Sequence, residues 1–237
     1  MLIAIPSKGR AGNVQSLDRV LNGTLYVPEN EAQDYRRCYP NVIAVPGDIR
    51  GITKTRNWIL KNTDDRWVVF ADDDAKTVGW TELLEEHGKQ RQLSAQEVTG
   101  EFIKLFEITE GMRYRIWGVA TQAALRSVYP WSPFLFQSYV TGSCMGIIND
   151  GKTLFDEDFP VKEDYELCLR CIYEDGGIVA ARYMYFECEH WTTDGGCKDY
   201  RTQEMEAKAI RNLIKKYGRC IRQITRHGSG YSIELNF

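Results

Sequence analysis

No apolar run in this 237-residue sequence reaches the roughly 20 residues that a bilayer-spanning helix needs. The opening segment, Met1 to Pro6, is apolar but short, and no basic flank precedes it. It is therefore expected to be a buried strand rather than a secretory signal. Internal repeats, low-complexity tracts and linkers are also lacking. A disulfide framework finds little support: the 7 cysteines are odd in number and scattered at positions 38, 144, 168, 171, 188, 197 and 220. Cys168 and Cys171 form a C-x-x-C, but no second ligand pair of similar spacing completes a zinc site. Together with Leu167 and Ile172 they share one face of an amphipathic stretch, which fits buried free thiols. Free thiols in this number point to a reducing, cytoplasmic compartment.

What is present fits one substantial core. Hydrophobic residues make up 43% of the chain, charged residues 27%, and the formal net charge is −3. In the first third, short apolar runs alternate with helix-length stretches. Leu2–Ile5, Leu25–Val27, Val42–Val45 and Trp67–Ala71 read as strands; Asn13–Leu21, Asn30–Cys38 and Ile52–Asn62 read as helices. That alternation predicts βαβ units and a mostly parallel, Rossmann-type sheet flanked by helices, an α/β fold. Continuous apolar strands fit a sheet covered on both faces, with ligands beyond its carboxyl edge. Further on, Ser94–Thr109, Asp164–Tyr173 and Thr202–Tyr217 carry helical spacing, and Arg113–Gln122, Cys144–Asn149 and Gly177–Glu187 read as strands. A hairpin is expected over Cys220–Thr225 and Tyr231–Leu235. The simplest organisation is a main domain over 1–200, with the helix and hairpin of 201–237 packed on it.

The sharpest feature is a strand running straight into Asp72-Asp73-Asp74. Three adjacent anions repel one another and are best tolerated beside a cation or strong donors. A hard divalent cation takes oxygen ligands and stabilises a diphosphate leaving group. The alternative is a solvated acidic turn or a helix cap. A position at the end of a core strand favours the ligand site. Two other segments end strands in the same way. Ile5-Pro6-Ser7-Lys8-Gly9-Arg10 is a small basic turn, and Gly51-Ile52-Thr53-Lys54-Thr55-Arg56-Asn57 opens a helix whose free amides attract anions. For that helix the alternative is a surface element capped by Thr53.

The aspartate triplet resembles the D-x-D motif of GT-A-fold glycosyltransferases. With the I-P-S-K-G-R-A start and the G-I-T-K-T-R-N-W-I segment, the chain resembles the bacteriophage TET-associated glycosyltransferases, proposed to glycosylate hydroxylated pyrimidines in DNA. The resemblance implies a nucleotide-sugar donor, with UDP-sugar first, and Mn²⁺ or Mg²⁺. It places Asp74, Asp72 and a late histidine, His190, on the metal. Asp72 and Asp73 also fall to the donor, with Pro6, Ser7, Lys8, Arg10, Gly51, Lys54 and Arg56. Asp164, then Glu163, is implied as the general base that deprotonates the acceptor hydroxyl; on their own, both could be first-turn acids on a helix dipole.

The acceptor is less legible. The chain is slightly acidic overall, yet Lys208, Arg211, Lys215, Lys216, Arg219, Arg222, Arg226 and His227 gather near its end. They could form a strip for hydroxymethylated DNA or merely the solvated face of a helix. Tyr129, Trp131, Phe134 and Phe136 lie in a Pro-punctuated loop and could stack on a base, hold a saccharide or pack the core. Transfer to a saccharide or protein acceptor therefore stays open. So does a non-enzymatic nucleic-acid- or carbohydrate-binding module with an acidic metal site. A sugar nucleotidyltransferase would carry a G-x-G-T-R loop after the first strand, which Ser7-Lys8-Gly9-Arg10 is not.

Overall fold

The computed structural model describes residues 1–19, 21–82, 89–122, 131–188, 202–218, 221–225 and 231–235. The apolar runs of the first third become β1 (Leu2–Pro6), β2 (Thr24–Pro28), β3 (Val42–Val45) and β4 (Trp67–Ala71). Between them lie α1 (Gln15–Arg19), α2 (Ala32–Cys38) and α3 (Ile52–Lys61). α1 is shorter than the expected Asn13–Leu21. β1 pairs in parallel with β2 and β4, and β2 with β3.

Two strands after the aspartates were not anticipated: β5 (Ala75–Glu82) and β6 (Lys89–Gln92). They precede α4 (Ala95–Gly111), which opens on a capping box between Ser94 and Glu97. Then come β7 (Ile116–Ala120), the two-residue β8 (Phe134–Leu135), β9 (Cys144–Ile148), α5 (Glu163–Asp175) and β10 (Val179–Cys188). α6 (Gln203–Tyr217) leads to a separate antiparallel hairpin, β11 (Ile221–Thr225) with β12 (Tyr231–Leu235).

The large sheet has the order β3-β2-β1-β4-β9-β7-β10-β5-β6, with β8 on β10. β3, β2, β1, β4, β7, β10 and β6 run one way; β9, β5 and β8 oppose them. The sheet is thus mostly parallel in direction but mixed in pairing. Side-chain alternation sends each strand's residues to two cores. Ile3, Ile5, Val69 and Ala71 meet Tyr35 of α2 and Val98, Phe102 and Phe106 of α4. Ala4, Val68 and Phe70 meet Ile59 and Leu60 of α3 and Leu167, Cys168 and Cys171 of α5. Burial on both faces is why these strands read as unbroken apolar runs. A third cluster seats α6, through Ala209, Ile210 and Leu213, on Leu169 of α5 and on Phe159 and Val161 before it. No helix among the described residues is long and apolar enough to cross a membrane.

Candidate active site

A cleft of about 1150 Å³ opens where β1, β2, β3 and β4 end. Pro6, Ser7, Lys8, Arg10, Gly51, Arg56, Asp72, Asp73, Asp74, Glu163 and Asp164 all line it. Lys54 does not; it is exposed on α3. His190 lies outside the described residues, as does Tyr129 of the aromatic loop.

The three aspartates do different work. Asp73 is buried, and both its oxygens are taken: Ser7 Oγ donates to Oδ2 at 2.5 Å, and Arg10 Nη1 donates to Oδ1. The Tyr35 hydroxyl completes this knot, 2.8 Å from Ser7 Oγ and accepting from the Arg10 amide at 2.8 Å. Burial raises the Asp73 pKa, and Arg10 and Ser7 offset part of the rise. Burial also opposes the Arg10 charge, but Asp73 and Asp74 outweigh it and raise that pKa. Ser7, Arg10 and Asp73 therefore brace the turn.

Asp72 and Asp74 line the same cleft with other partners. Asp72 keeps a side chain 38% exposed to the cleft, 3.9 Å from Arg56 Nη2. Desolvation, then Asp74, Asp73 and Glu163, push its pKa up to about 7 against the pull of Arg56. Asp74 Oδ2 lies 3.4 Å from Arg10 Nη1, while its Oδ1 is buried and accepts no hydrogen bond among the described residues. Ligand atoms of Asp72, Asp74 and Cys188 all lie within 4.8 Å of one another. An orphaned carboxylate oxygen beside a second carboxylate suits a divalent cation. Ser16, buried on α1, sets this turn: its Oγ donates to the Asp72 carbonyl at 2.5 Å and accepts from the Ala75 amide at 2.9 Å.

α3 begins at Gly51, whose φ of 87° and ψ of 154° suit only glycine. No side chain among the described residues caps the helix; the Thr53 hydroxyl donates instead to the Phe159 carbonyl at 2.9 Å. Asn57 holds the Phe155 amide and carbonyl. Arg56 is 2% exposed between the Phe70 and Phe155 rings. It donates to Glu163 Oε1 at 2.8 Å and to the Gly142 carbonyl at 2.6 Å. A helix read as an anion-facing N-terminus thus also clamps the 155–163 loop.

Across the cleft, Asp164 accepts from the Tyr139 hydroxyl at 2.7 Å and the Gly142 amide at 3.0 Å on Oδ2, and from the Tyr165 amide at 2.9 Å on Oδ1. Tyr139 and Tyr165 stack with ring centroids 3.8 Å apart. Burial, then Asp164, raises the Tyr139 pKa well above the usual range, so its hydroxyl stays a donor. Before Glu163, Lys162 holds a left-handed backbone, φ 61°, and its Nζ pairs with Glu206 of α6 at 2.9 Å. Ser16, Tyr35, Tyr139, Gly142 and Cys188 had no place in the sequence-based site; only Cys188, two positions before His190, carried a local signal.

The TET-Associated Glycosyltransferase family model matches residues 1–196. A mannosyltransferase from Pyrobaculum calidifontis, solved with GDP-Man and Mn²⁺, superposes with a TM-score of 0.59 at 13% identity, over 92% of this chain and 64% of that one. Glucosyl-3-phosphoglycerate synthase from Mycobacterium tuberculosis, solved with Mn²⁺, UDP and glucosyl-3-phosphoglycerate, gives 0.54 at 14% identity, over 98% and 85%. These likenesses establish the GT-A glycosyltransferase fold. No curated protein matches the chain. With the family model spanning the whole sheet and every element of the cleft, the chain belongs to the TET-associated glycosyltransferases.

Proposed function

We propose that this enzyme moves a sugar from a nucleoside-diphosphate sugar, UDP-sugar first, to the hydroxyl of a hydroxymethylated pyrimidine in DNA. The observation that carries the donor half is Asp74 Oδ1, buried and without a hydrogen bond among the described residues, beside Asp72 at the end of β4. Asp72 and Asp74, with His190, would hold Mn²⁺ or Mg²⁺. When bound, such an ion neutralises the diphosphate. The Mn²⁺ and nucleotide in the P. calidifontis and M. tuberculosis structures support that assignment. Pro6, Lys8 and Gly51 form the nucleotide side of the cleft. Arg56 fixes both walls through Glu163 and Gly142.

Asp164 is the base. Three donors hold its carboxylate in one orientation on the cleft wall, where a base must stand to reach the acceptor hydroxyl. The acceptor oxygen attacks the anomeric carbon, its proton passes to Asp164, and the bond to the diphosphate breaks. Glu163, tied to Arg56, is the second choice. Residues 1–200 make up the transferase domain, and 201–237 an appended helix and hairpin. An acidic chain needs a local basic surface for DNA, and Lys208, Arg211 and Lys215 recur along one exposed side of α6. Trp131, 79% exposed, offers a stacking surface. The site of action is the cytoplasm, that of the host if a phage encodes the enzyme.

The test is nucleoside mass spectrometry after incubation with hydroxymethylated DNA, Mn²⁺ and a panel of sugar nucleotides. A hexose or pentose adduct on the modified pyrimidine supports the proposal. Donor hydrolysis with no DNA adduct, while a saccharide or protein is glycosylated, rejects the DNA acceptor.

A further inference from the structure

The strand that ends beside the aspartates delivers a sulfur to them. β10 runs antiparallel to β5 in regular register from Met184 opposite Trp80 to Glu187 opposite Thr77. The next partner in sequence would be Lys76, but the register shifts and Cys188 comes opposite Ala75, directly after Asp74. Bulges of this kind re-aim side chains beside active sites. Cys188 is a free thiol, 8% exposed, and its Sγ lies within 4.8 Å of ligand oxygens of both Asp72 and Asp74. A buried thiol is ordinarily a small apolar filler. Here two carboxylates adjoin it: Asp72, and Asp74, with which its thiol makes a side-chain hydrogen bond.

We infer that Cys188 is a ligand of the divalent ion, making the site a mixed oxygen–sulfur centre selective for thiophilic metals over Mg²⁺. The inference rests on the metal-dependent reading above. As the metal–sulfur bond forms, the thiol proton leaves to solvent, so loading releases a proton. Thiolate is a soft ligand, whereas Mg²⁺ wants oxygen alone. The centre therefore ranks Co²⁺ and Cd²⁺ well ahead of Mg²⁺.

Titration of the metal-free full chain with Co²⁺ tests this without turnover. One equivalent should produce a sulfur-to-cobalt charge-transfer band in the near ultraviolet. That band should vanish in Cys188→Ser and persist in Cys144→Ala, which probes the other buried thiol adjoining Asp72. Because serine keeps an oxygen, Cys188→Ser should still bind metal, with the Cd²⁺-to-Mg²⁺ affinity ratio down roughly tenfold or more. Thermal unfolding of both variants checks that they fold. Co²⁺ bound with only weak d–d bands, or a band unchanged in Cys188→Ser, overturns the sulfur ligand and leaves the aspartate site standing. No Co²⁺ binding at all overturns both.

Discussion

Arg56 and Glu163 stand 107 residues apart in sequence and meet in a buried ion pair at 2.8 Å. The same guanidinium reaches the Gly142 carbonyl and faces Asp72. One cation thus joins the donor wall, the floor and the start of α5. Removing one partner of such a pair leaves the other charged and unpaired, at a cost of about 3–5 kcal/mol. Arg56→Ala is expected to lose stability in that range by denaturant unfolding, and Arg56→Ala with Glu163→Gln to recover part of it. Strict additivity of the two single changes would contradict the coupling.

Gly142 offers a way to disturb this cation without deleting a polar atom. A Cβ at that position would sit 2.7 Å from Arg56 Nη1. Gly142→Ala should cost about 1–3 kcal/mol through overpacking and lower kcat more than tenfold. Wild-type turnover in this variant would show that the Arg56 position does not matter.

The adjacent aspartates should separate by assay. Asp74→Asn is expected to keep near-normal stability, lose Mn²⁺ affinity in calorimetry and reduce turnover more than 100-fold. Asp73→Asn, which breaks the bracket with Ser7 and Arg10, should instead lower the unfolding temperature with metal binding reduced less. The reverse pattern would exchange the two roles.

Asp72 predicts a pH effect on the metal-free protein. Its folded pKa of about 7 lies above the ordinary 3.8. The folded state therefore holds that proton more tightly. The associated stability is full below about pH 4, falls as pH rises and is gone above about pH 7. Thermal unfolding should show the metal-free enzyme losing stability from pH 5 to pH 8. Asp72→Asn should flatten this dependence, as should saturating Mn²⁺. An unchanged slope in Asp72→Asn would remove the assignment.

If α6 binds DNA phosphates, Lys208→Ala, Arg211→Ala and Lys215→Ala combined should weaken DNA binding. The dependence of log affinity on log salt should flatten by about 0.9 for each phosphate left without its cation. Slow hydrolysis of the sugar nucleotide alone should not change. DNA affinity equal to wild type would leave the strip as a solvated helix face.

β1, β2 and β4 and the carboxylates behind them were legible because two-sided burial forces unbroken apolar runs, and polar residues then mark the strand ends; β3 was legible too, although it is an edge strand with Ile43 exposed. β5 and β6 were not. Ala75–Glu82 follows the aspartates with no punctuation, and Lys89–Gln92 contains no apolar side chain. The cleft-facing residues were also legible as motifs, but their division of labour was not. Asp73 differs from Asp74 by its hydrogen bonds from Ser7 and Arg10, more than 60 positions away, whereas Asp74 meets Arg10 only at 3.4 Å. Tyr139 reaches Asp164 through folding alone. Thr53 resembled a cap until the Phe159 carbonyl claimed its hydroxyl.

β6 closes one rim of the sheet with Lys89, Gln90, Arg91 and Gln92. A rim of this kind offers bare backbone amides and carbonyls to any neighbouring chain. The exposed Lys89 charge and the Arg91–Glu97 pair on this strand must be desolvated before a second copy can form a ladder there. Arg91 is held over Trp80, 4.8 Å from its ring centroid, which also shields that indole from sticky encounters. Concentrated enzyme should thus resist strand-by-strand aggregation from this side, and replacing Lys89 and Arg91 with valine would open a route to fibrils.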